Sequence, residues 1–126
     1  MNIEFSRRLA VLFGVLLPVV ETLRRYHQLS DWRVLPAWLD DWFIGAFLLY
    51  AAWRTKQDTR SGRPFLTAAW GFACAMAYVS FFFQLTNLDQ PDPSGVAPAF
   101  VVTIKGVGLA LFIAALVAAL RAEHRT

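Results

Sequence analysis

The sequence predicts an all-α membrane protein: a four-transmembrane-helix bundle with an interfacial segment between helices 1 and 2. Three observations lead there. Of 126 residues, 57% are hydrophobic and only 17% charged, against roughly 45–50% and about 25% in an ordinary soluble domain. Four apolar stretches recur along the chain, separated by polar or turn-rich segments. Lys and Arg flank those stretches unevenly, as topology signals do. A chain this short leaves much of its surface outside any core, so its many Phe, Leu, Val and Ala residues need lipid to cover them. Length permits one unit, a single integral membrane domain over 1–126.

The first span is expected over 7–28. Its purely apolar run, Leu9 to Val20, is shorter than the roughly 20 residues a crossing needs, so it must take in Glu21, Thr22 and Leu23. Pro18 sits inside it as a candidate kink. Ser6-Arg7-Arg8 before an apolar run resembles a twin-arginine leader, but no small-x-small site follows Val20, which points to an uncleaved span. Arg24 to Asp41 is charged and carries Tyr26, Trp32 and Trp38, the amphipathic aromatics of a membrane interface, and Pro36 interrupts it. The second span, 38–54, is uncharged only from Trp42 to Trp53. That run covers about 18 Å at about 1.5 Å per residue, so Asp40 and Asp41 are drawn below the interface or the bilayer thins. Arg54 to Pro64 reads as a polar loop with Ser61-Gly62 as its turn. The third and fourth spans are expected over 65–86 and 98–120, the fourth with Lys105 inside it.

Basic residues set the orientation. Arg7, Arg8, the Arg54–Arg63 segment, Arg121 and Arg125 share one side, whereas the 87–98 connection carries Asp89 and Asp92 and no Lys or Arg. Both termini are therefore expected in the cytoplasm, in an inner membrane of bacterial type. Arg24, Arg25 and Arg33 are the exceptions on the outer side.

The net charge of +3 is accounted for by these flanking cations and by contacts to anionic lipid; no basic run interleaved with aromatics suggests nucleic acid. The single cysteine, Cys74, is a packing residue in an apolar stretch. His27 and His124 lie at opposite ends of the bundle, so no haem or metal set is expected, and no cofactor is. GxGxxG and Walker patterns are absent from the sequence. Small residues at four-residue spacing (Ala69, Ala73 and Ala77; Gly71 and Ala75; Gly106, Ala110, Ala114 and Ala118) are helix-packing stripes. They serve the bundle itself, with a homo-oligomer contact as the sharper reading.

Charges inside a membrane cost at least about 2.5 kcal/mol at a helix centre unless paired, hydrated or near an edge, so function is sought among them. Gly14, Glu21, Arg25 and Gln28 share one helical face, and Glu21 and Arg25 are spaced i,i+4. Lys105 lies at the depth of Glu21, which suggests an interhelical pair. Ser80, Gln84 and Asn87 share a face of the third span, and Asp40 and Asp41 open the second at the same end. A candidate site of Glu21, Arg25, Asp41, Gln84 and Lys105 is thus expected in the outer half, above a dry cytoplasmic half. The function expected is that of a transporter or channel-like protein acting on a small solute or ion. The alternative is a non-catalytic accessory subunit of a larger membrane partner, or a lipid-binding module. A membrane enzyme using His27 or Asp41 ranks last.

Four spans in this length with a glutamate, Glu21, in the first resemble the layout of small multidrug-resistance transporters, in which Glu21 would be the counterpart of the membrane-embedded glutamate. The residues around Glu21 do not match that family, and the basic-residue bias opposes its inverted assembly. Fluoride channels share the layout, but their Gly- and Asn-rich motifs are not in this sequence. The chain is assigned to neither.

Overall fold

A computed structural model describes residues 3–26, 30, 35–91 and 95–123. The protein is all-helical, with α1 over Ile3–Arg25, α2 over Leu35–Gln57, α3 over Thr59–Thr86 and α4 over Pro98–Glu123. Two of these, α3 and α4, are long and apolar enough to cross a membrane. Glu21, Asp40 and Asp41 interrupt the apolar character of α1 and α2.

Each helix packs on the next and α4 returns to α1, so the four form a ring in chain order, with α2 and α4 diagonal. The neighbours are antiparallel. Gly14 meets Leu49 while Pro18 meets Gly45, and Thr22 meets Trp38. Tyr50 meets Phe65 edge-on and Trp70 packs at a tilt on Phe112, while Gly106 meets Phe81. Arg7, Arg8, Arg54, Lys56 and Arg63 consequently gather at one end, and Glu21, Asp40, Asp41, Gln84 and Lys105 at the other.

The α1–α2 crossing rests on two glycines. Pro18 has no N–H to give the carbonyl four residues back, which is that of Gly14. The bare Cα of Gly45 packs against this carbonyl and against the proline ring. α1 continues as helix through Pro18. Near the polar end, Thr22 Oγ1 donates to Pro18 O at 2.7 Å and accepts from the indoles of Trp38 (2.8 Å) and Trp42 (3.3 Å).

The expected Arg54–Pro64 loop is not a loop. α2 runs on to Gln57, and α3 starts at Thr59 with Asp58 as its N-cap, accepting from Arg60 N at 3.2 Å. Gly62 is not a turn residue: it lies in the first turns of α3, where a Cβ would collide with the backbone of Arg54 and Thr55. Its lack of a side chain lets α3 fold back directly on α2. The interfacial stretch between α1 and α2, including His27, Gln28, Asp31, Trp32 and Arg33, lies mostly outside the described residues.

The core fills the basic half. Leu48, Ala51, Leu66, Ala69, Trp70, Ala115 and Ala119 are buried there, capped by an aromatic cluster. The Phe13–Phe112 centroids stand 4.8 Å apart, Trp70–Phe112 5.2 Å and Phe13–Trp70 6.4 Å. The Trp70 indole also donates to Ser6 O at 3.3 Å, tying α3 to α1. Ala69 and Ala73 are buried at the seam, whereas Gly71 meets nothing within 4 Å and faces outward. Large apolar residues are exposed on the outer faces of all four helices, among them Val15, Leu23, Phe43, Trp53, Val79, Phe83, Phe100 and Val107.

Candidate functional site

Above the aromatic cluster the helices diverge around a cavity of about 360 Å³. Its body is apolar: Phe13 and Leu17 from α1, Ile44 from α2, Met76 and Ala77 from α3, Leu109 and Phe112 from α4. Its mouth is charged, with Glu21 and Arg24 from α1, Asp40 and Asp41 from α2, Ser80 from α3 and Lys105 from α4. The taper from charged rim to aromatic floor follows from the helices' own sequences, since each carries its polar residues toward the same end.

Glu21 and Arg24 form a salt bridge at 3.1 Å, with side chains only 16% and 10% exposed. The same Nη1 donates to the second oxygen, Oε2, at 3.3 Å, so both carboxylate oxygens are engaged by one guanidinium nitrogen. Burial on this scale is tolerable for two charges only when they are paired. Lys105 Nζ donates to Gln84 Oε1 at 3.2 Å, and Gln84 is 7% exposed. This bond fixes the height of the α4 cation against α3.

Of the residues expected from sequence, Glu21, Asp41 and Lys105 line one cavity, and Gln84 is bonded to Lys105 behind its rim. Arg25 is helical, but its side chain lies outside the described residues. Arg24, one position earlier, is one cation on Glu21. Helical spacing of i,i+3 and i,i+4 serves a carboxylate–guanidinium pair equally well, so Arg24 was as readable as Arg25. Asp40, which opens the second helix beside Asp41, lines the mouth with it. One contributor carries no sequence signal. Gly108 lines the cavity with nothing within 4 Å of where a Cβ would stand, so its missing side chain is part of the open volume.

Among the described residues, no group of three or more His, Cys, Asp and Glu side chains is placed to hold a metal ion. The arrangement offers instead a receptor for a molecule with an apolar body and a charged end: dispersion contacts below, charge-assisted hydrogen bonds above. No protein-family model, curated protein or solved structure matches this chain.

Proposed function

We propose that the chain is a small inner-membrane protein with four spans and both termini cytoplasmic, and that its outer-half cavity binds an amphiphilic ligand in a transporter-like role. The observation that carries this reading is the cavity: charged at its mouth, apolar in its body and closed below by Phe13, Trp70 and Phe112. A site open toward one side and shut toward the other suits a carrier in one of its two states better than a continuous pore.

Insertion of all four helices is supported by length and surface. Helices of 23–28 residues are about 34–42 Å long, sufficient for a hydrocarbon core of about 30 Å. Large apolar side chains stand exposed on all four helices, as on a surface that lipid rather than water covers. The Arg- and Lys-rich end would face the cytoplasm. The charged residues of α1 and α2 would then sit at the outer rim, paired or hydrated by the cavity.

A second reading, a non-catalytic lipid-binding or accessory module, is favoured by the closely packed floor. Native mass spectrometry of the detergent-extracted protein tests the shared core of both. One retained ligand per chain is expected for the wild type and none for Gly108→Leu, which fills the cavity. A wild type that carries no more ligand than the variant contradicts it.

A further inference from the structure

Leu16, Val20 and Ile104 line the cavity and are 41%, 45% and 54% exposed, against 5% for Phe112 on its floor. Side chains this open in a cavity wall mark the place where the wall is thinnest. All three lie on α1 and α4, the neighbouring pair that packs least extensively. The cavity therefore opens sideways through the α1–α4 seam, into the apolar belt, as well as upward at its charged mouth. Gly108 sits on α4 at this seam and leaves it unobstructed.

The mouth is also polarised. Arg24 is matched by Glu21 on the same helix. Across the ring, Asp40 and Asp41 stand on α2 and Lys105 on the diagonal helix α4. A head group in this mouth meets carboxylates on one side and an ammonium on the other. Water's share of liquid volume is about 30 Å³ per molecule, so a cavity of about 360 Å³ holds about a dozen water-sized groups, on the scale of a hydrocarbon chain segment.

We propose that the occupant is a zwitterionic phospholipid of the outer leaflet, admitted sideways between α1 and α4, with an acyl chain on Gly108 and Phe112, its phosphate toward Lys105 and its ammonium toward Asp40 and Asp41. This rests on the reading of the cavity as a ligand site in a membrane-inserted bundle. It adds the route of entry and the chemistry of both ends of the ligand. An anionic lipid offers the phosphate without the ammonium, and so brings no cation to the α2 side of the mouth.

The test is native mass spectrometry of the detergent-solubilised chain titrated with dioleoyl phosphoethanolamine, dioleoyl phosphoglycerol or water-soluble phosphoethanolamine. The wild type is expected to retain one phosphoethanolamine lipid per chain, roughly tenfold tighter than the phosphoglycerol lipid, the scale of one charge-assisted hydrogen bond. Asp40→Asn with Asp41→Asn should remove that preference. Gly108→Leu should lose the bound lipid, while Gly71→Leu, on the outward face of α3, should keep it. Soluble phosphoethanolamine should not displace the lipid, because it lacks the chain; displacement would identify a head-group site alone and overturn the proposal. Equal retention of both lipids by the wild type, or unchanged retention in Gly108→Leu, would mean annular lipid only and also overturn it. A Ser80→Cys variant in a Cys74→Ser background separates the two levels. If a membrane-impermeant maleimide reaches Cys at position 80 while the lipid result fails, the cavity reading stands and the lipid assignment falls. If the reagent never reaches it, both fall.

Discussion

Gly45 on α2 faces the backbone of Gly14 on α1 so closely that a Cβ on Gly45 would stand 2.6 Å from the Gly14 carbonyl oxygen and 2.6 Å from Pro18 Cγ. The backbone cannot yield as a flexible side chain would, so Gly45→Ala should separate the helices and cost about 1–3 kcal/mol, the usual range for overpacking. Gly71→Ala is the matched control. It meets nothing within 4 Å and should gain about 0.5–1 kcal/mol from the stiffer helix. Reversible unfolding in mixed micelles measures both.

The Lys105–Gln84 bond is tested by a double-mutant cycle. Lys105→Met should destabilise by about 1–3 kcal/mol, because it removes the donor bonded to the buried Gln84 carboxamide, and Gln84→Leu should destabilise by less. The double variant should cost less than their sum. Strict additivity in the same unfolding assay would show that the 3.2 Å contact carries no coupling.

Thr22 uses its hydroxyl fully, donating to Pro18 O and accepting from the Trp38 and Trp42 indoles. Thr22→Val should strand both indoles, lower stability by about 1–2 kcal/mol and shift tryptophan emission. Thr22→Ser should retain both the stability and the spectrum.

Depth along a helix is legible in this sequence; rotation and close approach are not. Counting residues from the ends of the apolar runs places Glu21, Asp41, Gln84 and Lys105 at one level, because rise per residue is fixed, and the structure has them at one end of the ring. That Arg24 reaches Glu21 at 3.1 Å depends on a rotation of about 100° per residue, which counting along the helix does not pin down. The glycines show the same limit. Ser61-Gly62 has the composition of a turn but lies in helix, because the absence of a Cβ at position 62 serves α2–α3 contact. Gly45 stands alone in an apolar helix and Gly108 follows Gly106 by two positions, with no motif around either, although one closes a crossing and the other lines a cavity.

Position 62 turns that lesson into a measurement. If Gly62 served a loop, Gly62→Ala would be mild. Since a Cβ there collides with the backbone of Arg54 and Thr55, Gly62→Ala should cost about 3 kcal/mol, the upper end of overpacking. Ser61→Ala, at an exposed neighbour, should be near neutral. Parallel unfolding curves for the two variants decide between loop and helix packing.

Thiol accessibility reports in one experiment on the proposed outward-opening cavity and on the buried core beneath it. In a Cys74→Ser background, Ser80→Cys at the cavity mouth and Ala119→Cys in the buried seam are exposed to a membrane-impermeant maleimide added outside intact cells. The predicted result is rapid modification at position 80, slowed by Gly108→Leu, and none at position 119 until the protein is unfolded. Modification at position 80 only from the cytoplasmic side, or only after unfolding, would contradict the account.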